Sequence, residues 1–410
     1  LKVLLASYWS YPATGAIDVY LRTLSSELER EGHQVSILAR NGWDHLRLVP
    51  GDAHCDVNSS GRSITSALWS HFGTTYPMPA EWVMQREGEQ YAYELGALRL
   101  CSGMEVDIVH AHDVHSGRAM RRVFPASVPV VLTTHGLLAY EWLVEKKIPG
   151  DASMEWRYTF FRELFGILGS SITVTPSHWM ARQYTQVFGI PQSHLRVIPY
   201  GFDPGSYWCR ARQEPKDLPP LQGRKVMTCV ARLVPLKGYD FLLRALVHVL
   251  RQVPETVCLI VGDGPEEPEI RRMISANGLG KAVFLLGRRD DVPSILGVTD
   301  VFVLPSLQEV TPLAISEAQL LGKAVVASAI GGIPELVDDG RTGLLVPPRD
   351  PAALAQSLVR VLEDRELAGA LGARARQEVT TARTWEQHYT RLLGLYDEVL
   401  WSSSHRAKGR

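Results

Sequence analysis

Twice along the chain, short apolar runs alternate with amphipathic stretches, and this pattern restricts the fold more than any other feature. The first series holds "KVLLAS", the helical "AIDVYLRTLSSELEREG", then "HQVSILA", "VDIVHAH", "PVVLTTHG", "SITVTPS" and "LRVIPYG". The second holds "KVMTCVARL", the helical "YDFLLRALVHVLRQ", then "ETVCLIVGDG", "AVFLLGR", "VFVLPS" and "AVVASAIGG". Strands of a parallel sheet covered on both faces are apolar along their length, so each series predicts a doubly wound sheet. The expected class is α/β with two Rossmann-like domains, for which 410 residues suffice. Ligands of such sheets bind at the carboxyl ends of the strands.

The boundary is expected in "GSYWCRARQEPKDLPPLQGR", residues 205–224, which is polar, Pro-rich and without periodicity. That gives a first domain over 1–205 and a second over 206–384. A final helix over 385–400 carries Tyr389, Leu392, Leu393, Tyr396 and Leu400 on one face, and the polar tail "SSSHRAKGR" is expected to fray. Residues 44–100 hold Trp69, Phe72, Tyr76, Trp82, Tyr91 and Tyr93 without clear periodicity and read as an irregular insertion in the first domain.

With 43 basic against 44 acidic residues, the charge balance gives no support to nucleic-acid binding. Five scattered cysteines without a CxxC pattern suit reduced thiols in a cytoplasm. No stretch approaches the roughly 18 consecutive apolar residues of a membrane span. The N-terminal "LKVLLASYWS" runs straight into a strand, so no signal peptide is expected.

"LQEVTPLAISEAQLLG", residues 307–322, places Glu309 and Glu317 eight apart. On one continuous helix they would lie ~12 Å apart, too far to share a small ligand. Thr311 reads as a helix cap and Pro312 as the first helical residue, with Gly322 as the stop. Glu309 then lies in the preceding loop and Glu317 about one turn inside the helix. Between them, the amides of Leu313 and Ala314 are free to meet an anion. A ligand with hydroxyls at both ends and phosphate in the middle fits this arrangement. Arg232 and Lys237, in the loop after a strand, supply cations for a diphosphate, although such a pair is often merely solvated. "VGDGPEEPEI" lacks the third glycine of a dinucleotide fingerprint and reads as a turn.

In the first series, His110, His112 and His115 read as hydrogen-bonded strand-end histidines rather than metal ligands, since no H-E-x-x-H or cysteine cluster accompanies them. His135, between Thr134 and Gly136 at a strand end, is a sharper candidate for a cleft-facing group. Gly15 precedes the first helix, where its lack of a side chain lets a ligand approach the backbone.

These motifs together resemble the retaining glycosyltransferases of family 4, most strongly from Arg196 to Pro347. Carrying the resemblance are "TTHG", "RVIPYGFDP", "VARLVPLKGYDFLLRA", "LIVGDGPE" and the segment from "VFLLGRRDDVPSILG" through the E-x(7)-E pair to "GRTGLLVPP". The resemblance implies the GT-B fold: two Rossmann-like domains facing across a cleft, acceptor on the first and nucleotide-sugar on the second, with the last helix returning to the first. It implies that Glu309 holds a hydroxyl of the donor sugar and Glu317 the ribose. The backbone of Val310, Thr311, Leu313 and Ala314 would meet sugar and diphosphate, and Arg232 and Lys237 the diphosphate. Gly287 and Arg288 would receive the base, Gly15 would approach the donor, and His135 would contact the sugar near the reacting carbon. Two positions depart from the family pattern: Val310 stands where glycine follows the first glutamate, and Ala16 where a second glycine is common.

The resulting expectation is a cytoplasmic hexosyltransferase that uses a nucleotide-sugar (UDP by family frequency) and retains the anomeric configuration. It needs no metal or other cofactor and acts on an unidentified sugar, lipid-linked or small-molecule acceptor. A catalytically silent nucleotide-sugar binder and a nucleotide-sugar epimerase of similar fold are the rival readings. Trp142, Trp156, Phe160 and Phe161 raise weak association with a membrane surface. Their segment lacks a basic face, which favours packing instead.

Overall fold

The computed structural model describes residues 1–12, 16–75 and 81–408. The chain divides into two compact units, one of Leu1–Pro176, Ala181–Ile198 and Tyr389–Arg410, the other of Ser177–Met180 and Pro199–His388.

The first unit is built on eight strands: β1 (Lys2–Ser10), β2 (Gln34–Asn41), β3 (His45–Val49), β4 (His54–Asp56), β5 (Ile108–Ala111), β6 (Val130–Thr133), β7 (Ile172–Thr175) and β8 (Leu195–Val197). They lie in the order β4-β3-β2-β1-β5-β6-β7-β8. Pairing is parallel from β2 to β8, while β3 and β4 run antiparallel at the edge. Every residue of β5, β6 and β7 is buried, as strands covered on both faces must be. The order reverses between β1 and β5, which opens a ligand crevice at their carboxyl ends.

Residues 44–100 are not irregular. They form the β3–β4 hairpin and two long helices, Asn58–Thr75 and Glu81–Leu100. The second helix buries Gly88, Gln90, Glu94 and Gly96 beside Met84, Ala92, Tyr93 and Ala97, which is why no apolar period marks it. A Cβ at Gly88 would lie 1.9 Å from Thr65 Oγ1, so the missing side chain is what lets the two helices touch.

The last helix runs Trp385–Lys408, beyond the expected end at 400 and through most of the tail expected to fray. From Tyr389 onward it belongs to the first unit. Leu395 and Val399 are buried with Tyr389, Leu392 and Tyr396, in place of Leu393 and Leu400. Tyr396 and His110 share a buried 2.7 Å hydrogen bond, and the other ring nitrogen of His110 lies 2.7 Å from Thr133 Oγ1. The hydrogen-bonded reading of His110 therefore holds. Of the four aromatic residues considered for a membrane surface, only Phe161 is exposed, and Phe160 stacks on Phe188 at 4.4 Å. No helix among the described residues is long and apolar enough to cross a membrane.

The second unit holds six parallel strands: β9 (Lys225–Val230), β10 (Thr256–Val261), β11 (Val283–Leu285), β12 (Val301–Leu304), β13 (Ala324–Ser328) and β14 (Leu344–Val346). Their order is β11-β10-β9-β12-β13-β14. Helix Tyr239–Gln252 contributes Leu242, Leu246 and Val249 to the larger core, and a smaller cluster around Val257, Leu259 and Ile295 forms separately. The stretch 205–224 is not a plain linker. Helix Pro204–Ala211, capped by Asp203, lies in the second unit, and the division falls at Ile198/Pro199 instead of 205/206. Trp208 ties this helix down by donating from Nε1 to Leu320 O at 2.9 Å.

Candidate active site

In the second sheet β9 is laid down first, β10 and β11 are added on one side, and β12 returns to its other side. The crevice of a doubly wound sheet opens at such a reversal, here between the loops after β9 and β12. Arg232, Lys237 and Glu309 lie in those two loops.

The loops are held by close backbone contacts. Leu233 N donates to Asp263 O at 2.7 Å, Glu266 N to Leu233 O at 2.9 Å, and Gly262 N to Gly287 O at 2.9 Å. Gly238, at φ 68°, ends the turn that carries Lys237, and a Cβ there would lie 2.1 Å from Pro305 O. At Gly331 a Cβ would lie 1.8 Å from Glu309 O, and at Gly332 1.8 Å from Val310 O. The Glu309–Val310 backbone is thus pressed against a two-glycine turn that tolerates no side chain.

Within this frame Lys237 Nζ lies 2.6 Å from Glu309 Oε1, and Ser306 Oγ donates to the same oxygen at 2.8 Å. Glu309 is 8% exposed, so the ion pair is largely desolvated and its hydrogen bonds fix the carboxylate. The sequence reading gave Lys237 and Glu309 separate parts of one donor, the diphosphate and the sugar, and the structure adds a direct ion pair between them. Lysine carries three donors, so the pairing leaves others for an anion. Ser306, fully buried, was missed; only its place three residues before Glu309 hints at it.

Helix Leu313–Leu320 follows, with Pro312 at the N-cap in an extended conformation. Thr311 does not cap it, and its hydroxyl is buried without a hydrogen-bond partner. The amides of Leu313 and Ala314 begin the helix, as expected. Glu317 lies in that helix, partly buried; burial pushes its carboxyl up to about 7, with Arg210 pulling the other way. Tyr207, in helix Pro204–Ala211, feels the charge of Glu317, and its hydroxyl is buried without a hydrogen-bond partner. Tyr207 and Arg210 were read as part of a linker and are a second omission. Gly287 sits at φ 64° in the loop after β11, followed by the exposed Arg288; Arg232 is also exposed, and Val310 is buried.

In the first unit His135 follows the end of β6, half-buried. It stacks on His112 at 5.8 Å and meets the Tyr20 ring edge-on at 5.7 Å. His115 is fully buried against Tyr8, at 4.6 Å between ring centroids, and burial holds its pKa well below the usual value. Gly15 and the side chain of Ala16 lie outside what the structure describes.

A sequence model described as Glycosyltransferase Family 4 matches residues 17–206, and one described as Glycosyl transferases group 1 matches residues 211–378. The chain belongs to glycosyltransferase family 4. This family 4 member is 28% identical over 414 aligned positions to glycogen synthase of Mycobacterium tuberculosis, spanning 97% of this chain and 94% of that one. Over 230 positions it is 33% identical to the GDP-mannose-dependent alpha-(1-6)-phosphatidylinositol monomannoside mannosyltransferase of Mycolicibacterium smegmatis, covering 53% of this chain and 60% of the other. Among solved structures, Anabaena HepE in complex with UDP-glucose matches with a TM-score of 0.72 at 19% identity, over 97% of this chain and 100% of HepE. The fold is that of the GT-B glycosyltransferases, with a Rossmann-like sheet in each unit.

Proposed function

We propose that this glycosyltransferase moves a sugar from a nucleoside-diphosphate sugar, with UDP as the nucleotide, to an acceptor bound by the first unit, with retention at the anomeric carbon. One observation carries the reading: Lys237 and Ser306 both bond to Oε1 of Glu309, which leaves Oε2 to accept from a hydroxyl of the donor sugar. Glu317 takes the ribose, one turn into a helix whose first amides, at Leu313 and Ala314, meet the diphosphate. Val310 and Thr311 line the sugar side, and Gly287 and Arg288 receive the base.

As the glycosidic bond breaks, negative charge builds on the bridging oxygen of the departing diphosphate. Arg232 and the remaining donors of Lys237 meet that charge without a divalent metal. His135 takes the contact beside the reacting carbon, a role supported by the family resemblance. UDP is supported by family frequency and by the ligand of HepE, against the GDP-mannose of the mannosyltransferase relative. Five free cysteines, three of them buried, suit a reducing cytoplasm.

A thermal-shift panel of UDP-, GDP- and ADP-sugars tests the donor, because a ligand that binds only the native state raises its melting temperature. The reading expects the largest rise with a UDP-sugar and, in turnover, an α-linked product from an α-linked donor by NMR. No shift with any nucleotide-sugar, or an inverted product, would contradict it.

A further inference from the structure

A cavity of about 710 Å³ lies in the first unit between the end of β2 and the two helices of the insertion. Its floor is Arg40, the penultimate residue of β2, so it opens at the carboxyl edge of the sheet, where doubly wound folds bind ligands. Arg40 is only 4% exposed. Its guanidinium lies 4.3 Å from the centroid of the Tyr8 ring and donates to Trp43 O at 2.8 Å, while its Nε is buried without a partner. No carboxylate among the described residues pairs with it. A buried cation with no carboxylate partner is costly, and where it borders a cavity an anionic ligand would pair with it.

The rest of the wall agrees. Arg62 and Arg86 line the cavity against a single acid, Glu89, which lies 2.9 Å from Arg86. The Nε of Arg86 is also buried without a partner. Trp43, 64% exposed, presents its indole at the mouth, and the amides of Asn58 and Gln85 lie alongside. An exposed aromatic face beside side-chain amides is chemistry for a sugar ring, and guanidinium groups are chemistry for a phosphate or carboxylate.

We propose that this cavity is the acceptor site and takes a carbohydrate bearing an anionic group. The inference rests on the transferase reading only in calling the ligand an acceptor; the binding claim stands apart from it.

The test is calorimetric titration of the full chain, without donor, using glucose 6-phosphate, glucuronate, methyl glucoside and inorganic phosphate. At least one of the two anionic sugars should bind ten-fold or more tightly than methyl glucoside and more tightly than phosphate. Arg62→Gln and Trp43→Ala, both at exposed side chains, should each weaken that sugar five-fold or more. Trp43→Ala should leave phosphate unchanged. Titration of UDP into the same variants should match wild type, which checks the fold and keeps failure here distinct from failure of the donor assignment. Equal affinity for charged and neutral sugars, phosphate as tight as the sugars, absence of sugar binding, or indifference to both substitutions would each overturn the proposal.

Discussion

Glu317 should make nucleotide binding depend on pH. Its carboxyl is raised from 4.5 to about 7, first by burial, with Arg210 opposing. A group raised in this way stabilises the free fold fully below its ordinary value, and that contribution is lost as pH rises through 7. Ribose hydroxyls donate more strongly to an ionised carboxylate than to a neutral one, so bound nucleotide should favour the charged form. With a pKa of 7, roughly a tenth of the groups are ionised at pH 6 and roughly nine-tenths at pH 8. Affinity for UDP should therefore rise by up to about ten-fold across that interval, equivalent to about 1.4 kcal/mol. The terminal phosphate of UDP titrates in the same range, so the reading is taken as the difference between wild type and Glu317→Gln. Calorimetry in buffers of unlike ionisation enthalpy should also show about half a proton released per site at pH 7 beyond that seen with the variant. Identical pH profiles for the two proteins would refute the reasoning.

His135→Ala should leave the melting temperature close to wild type and lower kcat strongly, because a strand-end histidine holds little core; a large fall in melting temperature would instead show a structural role. Full turnover in excess EDTA is expected, together with a deep loss in Lys237→Ala, whereas activity abolished by chelator and restored by magnesium would give the charge-neutralising role to a metal. Gly331→Ala should cost stability and donor binding together, since its Cβ would meet Glu309 O at 1.8 Å on a backbone at φ 62°. Wild-type melting and UDP affinity in that variant would contradict the close-contact account.

The parallel strands other than β14 were legible because doubly covered strands such as "VCLIV" and "VFVL" must be apolar throughout, whereas the β3–β4 hairpin was not. Helix Glu81–Leu100 was not, because part of its buried side is polar. Gln90 donates to Glu94 and to His115 O, each at 3.0 Å, and Arg162 donates to Gln90 at 2.7 Å. Burial satisfied by distant partners leaves no local period. The Glu309–Glu317 spacing pointed to the ligand-facing loop, yet the pairing of Glu309 with Lys237 spans 72 residues and follows only from the strand order. Thr311 failed as a cap because Pro312, held extended at ψ 111°, takes the N-cap position itself. Helix Pro204–Ala211 was hidden by its short length and by the prolines that follow; tertiary contacts such as the one from Trp208 to Leu320 hold it.

The central claim, that the second sheet's reversal point holds a nucleotide-sugar with Glu309 on the sugar and Glu317 on the ribose, is tested most directly by titrating UDP and a UDP-sugar into both alanine variants. Glu317→Ala should weaken both ligands alike, by roughly 1.5–3 kcal/mol for a charge-assisted bond. Glu309→Ala should keep the UDP affinity of wild type while losing the additional affinity contributed by the sugar. Equal losses for UDP in the two variants, or no loss in either, would contradict the account.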